Sequence, residues 1–169
     1  MTADTRARTA AILTVSDRGS RGETVDTAGP AVARLLSGAG FEVVAQVVLP
    51  DEPERISSQL RAWADDDHVD LVLTAGGTGL APRDRTPEAT ARVLDYPVPG
   101  LAEAMRSAGL ASTPMAMLSR AVAGVRGRTL IINLPGSERG ATESLAVVLP
   151  VLAHAVDQLG GGDHLRAGS

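Results

Sequence analysis

The stretch VLTAGGTGLAPRDRTPEAT, residues 72–90, decides the architecture. It continues an apolar run that begins at Val69 (VDLVLT), breaks at Gly76, Gly77 and Gly79, and ends in Thr86-Pro87-Glu88. A capping residue followed by proline at the first helical position is a helix start, here expected to run to about Leu94. A buried strand, a glycine loop and a helix in that order form the repeating unit of a sheet wrapped by helices.

The same unit recurs on both sides. Upstream, AAILTVS (10–16) is continuously apolar, as expected of a strand covered on both faces, and EVVAQVVL (42–49) is a Val-rich second strand. Between them, residues 27–40 carry Ala31, Leu35 and Leu36 at helical spacing and stop at glycine. Ile56, Leu60 and Trp63 mark a helix over 53–64. Downstream, a helix is expected over 101–110, a strand over 128–134 (RTLIINL), and a helix capped by Ser137, kinked at Pro150 and ending near Leu159. Residues 116–124 fit neither period. The expectation is an α/β protein, a three-layer α/β/α sandwich with a mainly parallel central sheet, in one domain over 10–159. Residues 1–9 and 160–169 are expected to be a disordered N-terminal tail and a flexible C-terminal tail.

Composition removes several classes of function. The 169 residues (17.3 kDa) suit one domain, and 44% hydrophobic with 21% charged residues is the balance of a globular chain. There is no cysteine, which excludes disulfides, thiol catalysis and Cys-based metal sites. All 16 basic residues are arginine, so no lysine is available for a Schiff base or a P-loop. A net charge of −4 and 2% aromatics lack both the basic stripe and the stacking platform of a nucleic-acid binder. His68, His154 and His164 show no metal-ligand spacing. The longest apolar run, 145–156, is broken by Pro150 and His154 and falls short of a membrane span, and MTADTRART has no apolar export segment. A cytoplasmic protein without membrane contact is expected.

If the strands are parallel, four segments share one rim: Ser16-Asp17-Arg18, Pro50-Asp51-Glu52, Gly76-Gly77-Thr78-Gly79 and Pro135-Gly136-Ser137. Ligands bind at such rims where strand order reverses. Glycines there let backbone N–H groups approach a phosphate or carboxylate, although the loop is neither GxxxxGK[ST] nor GxGxxG and a plain turn is the alternative. Asp51 and Asp84 on neighbouring strand ends suit Mg²⁺, which takes one or two carboxylates plus waters and substrate phosphates. The competing reading makes Asp51 an N-cap and Asp84 a helix-dipole acid. Ser16 and Asp17 either bind substrate or cap a turn, and Ser137 caps a helix whose N-terminus is an anion site. Ser119 and Arg120 acquire no role from the pattern. A glycine loop beside a two-carboxylate metal site points to phosphoryl or nucleotidyl transfer.

The order of these motifs resembles the molybdenum-cofactor biosynthesis family that includes MogA, MoaB and the G domains of gephyrin. The matching pieces are AILTVSDRGSRGE (11–23), DTAGP (26–30), VLPDE (48–52), residues 72–90, PGLAEAMR (99–106) and MLSRAVAGVRGRTLIINLPGS (117–137). The resemblance implies Mg²⁺-dependent adenylylation of molybdopterin by ATP with release of pyrophosphate. Asp51 and Asp84 would then be catalytic and hold the metal, and Gly76, Gly77, Thr78 and Gly79 would contact the pterin or its phosphate. Pro135, Gly136 and Ser137 would border the adenylate, and Ser119 would lie on the pterin side. A homotrimer is implied, with a hexamer as the MoaB-like alternative, and a separate protein would insert molybdate. The family also contains catalytically silent pterin-binding or scaffold members, and the fold is shared with nucleotide-processing competence-damage proteins.

Overall fold

The computed structural model describes residues 6–161. Its strands are β1 (Arg8–Val15), β2 (Phe41–Leu49), β3 (Leu71–Ala75), β4 (Tyr96–Pro97), β5 (Ala123–Arg126) and β6 (Thr129–Leu134), in the sheet order β2-β1-β3-β6-β5-β4. β2, β1, β3 and β6 are mutually parallel; β4 and β5 finish one edge antiparallel. The helices are α1 (Asp17–Ser20), α2 (Ala28–Gly38), α3 (Pro53–Arg61), α4 (Thr86–Ala91), α5 (Pro99–Gly109) and α6 (Glu138–Leu159). The chain thus forms the expected sandwich, and strand order reverses between β1 and β3.

Period-two alternation within β1 divides the core between two faces. Ala10 and Ile12 point to the layer built by α2, α5 and α6, where Val32, Leu36, Leu145 and Leu152 are buried. Ala11, Leu13 and Val15 point the other way, onto Ile56, Leu60 and Trp63. Each fully buried Leu or Ile stabilises the fold by roughly 1.5–3 kcal/mol relative to exposure.

Three local expectations change. Arg8 and Thr9 belong to β1 rather than to a disordered tail, because Asp70 accepts hydrogen bonds from the Thr9 backbone N–H (2.8 Å) and from Arg6 (3.0 Å). Residues 1–5 and 162–169 lie outside the described residues. Residues 116–124 resolve into a single tight helical turn, Pro114–Leu118, followed by the start of the four-residue strand β5, too short for its period to show. Thr86 is the first residue of α4 instead of its cap, a position held by Arg85. α6 runs as one helix of 22 residues through Pro150. Pro150 and Ala146, whose carbonyl loses its partner there, both lie on the exposed face, where water can replace the bond. By length and composition α6 is sufficient to cross a membrane, but its stripe of Ala141, Leu145, Val148, Leu152 and Val156 packs into the core.

One polar group ties the layers beneath the rim. Asn133 on β6 is fully buried and donates through Nδ2 to Thr74 Oγ1 (2.9 Å) and Thr90 Oγ1 (3.0 Å), while its Oδ1 accepts from the Val122 N–H (3.1 Å). Its loss leaves buried hydroxyls and an amide without partners, each costing about 1–3 kcal/mol. Asn133→Ala is therefore expected to lower unfolding free energy by about 3 kcal/mol in a urea titration.

Candidate active site

The carboxyl ends of β1, β2, β3 and β6 carry all four expected segments to one rim. The Ser16 N–H donates to the Leu49 carbonyl (2.9 Å) and the Gly76 N–H to the Leu134 carbonyl (3.1 Å), which ties the strand ends together. Gly76 has φ +109°, and a side chain there would stand 2.3 Å from the Val15 carbonyl oxygen. Gly77 follows at φ +67°, and a methyl group on it would stand 2.2 Å from Thr86 Oγ1 and 3.2 Å from Asp51 Oδ1. Only glycine satisfies both positions. Among the described residues nothing accepts a hydrogen bond from the backbone N–H of Gly77, Thr78 or Gly79. Three free donors in succession on a turn make a concavity suited to an anion.

Asp51 does not cap the helix after it. Glu52 holds the cap position of α3 without a side-chain bond, and Asp51 Oδ2 instead accepts the Asp17 N–H at 2.9 Å. Asp17 Oδ1 reciprocates with the Asp51 N–H at 3.0 Å, and Arg83 grips Asp17 through Nε (2.5 Å) and Nη2 (2.9 Å). Ser16 takes the capping role in α1, accepting from the Gly19 N–H at 2.9 Å. The two carboxyls are pushed apart. The Arg83 guanidinium holds Asp17 down at about 2, while burial first, and the neighbouring Asp17 and Asp84 charges next, raise Asp51 above the ordinary aspartate value.

Asp84 sits on the far side of the glycine loop, where its Oδ2 accepts the Ala81 N–H at 3.2 Å and stands 2.9 Å from the place a Gly79 side chain would occupy. Asp51 Oδ1 and the Thr86 hydroxyl, which is buried without a hydrogen-bond partner, converge on the space that Gly77 leaves open. Carboxylate and hydroxyl oxygens with no nitrogen or sulfur form a donor set suited to Mg²⁺. No cluster of three or more His, Cys, Asp or Glu that could hold a metal occurs among the described residues, so a cation here needs water or substrate oxygens as well.

Arg120 was not legible from the sequence. Its backbone N–H donates to the Thr78 carbonyl (2.9 Å), Nε to the Gly79 carbonyl (2.9 Å) and Nη2 to the Asp84 carbonyl (2.5 Å), while Nη1 pairs with Glu88. The signal lay in the pattern only as a charged residue inside the irregular 116–124 stretch.

Beside the rim opens a cavity of about 780 Å³ between α5, the 114–118 turn and the start of α6. Thr78, Gly79, Ser119, Pro135 and Ser137 line it, so five expected site residues meet there. Ser137 Oγ caps α6 by accepting from the Gly140 N–H at 3.0 Å. Gly136 packs against Gly76, a side chain there standing 3.2 Å from the Gly76 Cα. Ser16, Asp17, Asp51 and Asp84 lie off the cavity lining, with Thr78 and Gly79 joining the two halves. The volume is in the range of small-molecule sites.

A doubly wound sheet with a glycine loop and paired acids at the carboxyl ends of its strands has the architecture of the ligand-binding α/β proteins. Residues 11–154 match the family described as a probable molybdopterin binding domain, and the chain belongs to that family. It is 41% identical over 157 residues to a molybdopterin adenylyltransferase of Helicobacter pylori strain J99, covering 89% of this chain and 86% of that one. It is 40% identical over 151 residues to the Drosophila melanogaster molybdenum cofactor synthesis protein cinnamon, covering 88% of this chain but only 25% of that much longer protein. The crystal structure of the molybdopterin biosynthesis enzyme MoaB from Thermus thermophilus superposes with a TM-score of 0.86 at 62% identity, covering 90% of this chain and 96% of that one.

The carboxyl pair has a measurable signature in the metal-free protein. In a side-chain carboxylate NMR titration Asp17 is expected to titrate near 2 and Asp51 above the ordinary aspartate range, and Arg83→Gln is expected to move Asp17 back toward about 4. Because the folded-state value of Asp17 is depressed, the stability from its pairing is complete above about pH 4 and is lost as pH falls toward 2. Asp51 has the opposite sign: its buried charge weighs against the fold above its raised value, and protonation relieves it.

Proposed function

We propose that this protein transfers the adenylyl group of ATP to the terminal phosphate of molybdopterin, releasing pyrophosphate. The observation that carries the reading is the conjunction at one rim of three unpartnered backbone N–H groups, Gly77 to Gly79, with two carboxylates that flank them, Asp51 and Asp84. The N–H groups take phosphate oxygens; the carboxylates serve a cation rather than an anion. Naming of the Helicobacter pylori relative as a molybdopterin adenylyltransferase supports the same reaction.

The chemistry asks little covalent work of the chain. An oxygen of the pterin's terminal phosphate attacks the α-phosphorus of ATP, the bond from that phosphorus to the bridging oxygen breaks, and pyrophosphate leaves with the electron pair. The attacking phosphate is already ionised at neutral pH, so no general base is required. Asp51 and Asp84, with Thr86 beside them, would hold Mg²⁺, which when bound supplies charge neutralisation for the phosphates. The chain's own contribution is to hold two anionic substrates in line and to offset charge on the leaving group. Gly77 to Gly79 bind the phosphates, with Arg83 and Arg85 in reach as exposed cations. Ser119 and Pro135 to Ser137 border the cavity that takes the pterin and the adenylate.

ATP as co-substrate implies activity in the cytoplasm, and the adenylated pterin is the species a molybdate-inserting partner would consume. We also infer a homotrimer, with the hexamer as alternative; exposed Leu110 and Met117, which lie off the cavity lining, are the kind of apolar surface a neighbouring subunit covers.

The deciding assay is pyrophosphate release from Mg²⁺-ATP with and without molybdopterin. Release that depends on the pterin supports the reading, and binding of the pterin with no release would instead assign a silent pterin-binding protein. Asp84→Asn is expected to cut turnover by at least about 100-fold with thermal stability and pterin binding retained, and full activity in that variant would remove Asp84 from the mechanism.

A further inference from the structure

Arg120 stands between the two halves of the site without belonging to either. The segment that carries it runs along the cavity wall, with Met115, Ala116, Leu118, Ser119 and Ala121 as lining residues. From the α5 side Arg106, itself at the cavity, donates through Nη1 to the Ala121 carbonyl (2.8 Å) and the Ser119 carbonyl (3.4 Å), which fixes the segment on either side of Arg120. The Arg120 side chain leaves in the other direction. Its Nε and Nη2 bridge the Gly79 and Asp84 carbonyls, the two ends of the loop that turns Asp84 back toward the glycines, and Nη1 reaches Glu88 on α4. One planar guanidinium therefore closes the 79–84 loop and anchors it to the helix that follows.

We propose that Arg120 is the positioning residue that sets the Asp84 carboxylate for adenylyl transfer, and that it couples the pterin-side wall to that carboxylate. This rests on the adenylyl-transfer reading above. It touches no reacting atom; it acts through the backbone of Gly79 and Asp84. Lysine is no substitute at such a place, because an ammonium keeps the charge opposite Glu88 but lacks the planar fork that spans two carbonyls. A displacement of about 1 Å in a positioned group costs on the order of 100-fold in rate.

The test compares wild type with Arg120→Lys, and with Arg120→Met as a second variant, in three measurements. Hydrogen exchange in the substrate-free protein is expected to rise at least about ten-fold in peptides covering 79–85 and to stay unchanged in β1 and β3, the signature of a local opening. Molybdopterin binding without ATP, read by direct titration, is expected to keep its stoichiometry and its Kd within about three-fold, since the Arg106 contacts to the wall remain. Turnover is expected to fall about 100-fold at unchanged KM for the pterin. Unchanged exchange over 79–85 would remove the clamp whatever the activity. Wild-type turnover in Arg120→Lys would reduce Arg120 to an ion pair with Glu88, and a loss confined to pterin affinity would make it a substrate-binding residue; either result overturns the inference. Absence of pyrophosphate release in wild type would strike the functional reading instead, and the exchange measurement would still decide the clamp.

Discussion

The site depends on one close approach: the end of β3 lies across the end of β1, with Gly76 against the Val15 carbonyl. No side chain fits in that 2.3 Å gap, and the left-handed conformation forced there continues into Gly77. Two consecutive residues of positive φ end the strand at the point where strand order also reverses, and the N–H groups of Gly77 to Gly79 find no acceptor among the described residues instead of extending the sheet. The open space above Gly77 then brings Asp51 from β2 and Thr86 from α4 to one point. A fold of ordinary parallel pairing acquires a binding edge because its strand ends converge more closely than side chains allow.

Electrostatics at that edge oppose folding and favour function. Burial raises the cost of ionising Asp51, and the neighbouring charges of Asp17 and Asp84 add to it. The chain relieves part of this locally: Arg83 neutralises Asp17, and the reciprocal backbone bonds between Asp17 and Asp51 hold the pair in register. Asp51 is left with Oδ1 directed at the glycine loop and no arginine of its own. A cation at that position would lower the cost of the remaining charge, so the donor set that opposes the fold on its own suits the Mg²⁺ proposed for it.

Much of this was readable from residues alone, for definite reasons. Central strands announce themselves because burial on both faces demands unbroken apolar runs, as in 10–16 and 128–134, and parallel order then puts Asp51, Asp84 and the glycines on one rim. What stayed hidden depended on contacts between segments distant in sequence. Asp51-Glu52-Pro53-Glu54 is as good a cap pattern as any, and only the approach of the Asp17 N–H, 34 residues away, shows that its carboxylate is turned elsewhere. Arg120 was invisible for the same reason: its partners Gly79, Asp84 and Glu88 lie 32 to 41 residues upstream. Strand β5 is hidden because four residues are too few to display a period.

Under the proposed adenylyl transfer, the division of the site into a polar rim and a largely apolar cavity also accounts for where specificity would reside. Backbone N–H groups and carboxylates recognise phosphate and cation, features shared by every nucleotide and phosphorylated cofactor, and therefore discriminate weakly. On that reading discrimination would fall to the 780 Å³ cavity, whose walls include Met105, Met115 and Leu118 interspersed with Ser112, Thr113 and Ser119. Thr78 and Gly79 belong to both regions, and Arg120 binds the carbonyls of both residues. If Arg120 couples the cavity wall to Asp84 as proposed, recognition of the organic part of the substrate and placement of its phosphate are mechanically joined, and the chemistry is set up where the correct molecule fills the cavity rather than wherever a phosphate lands.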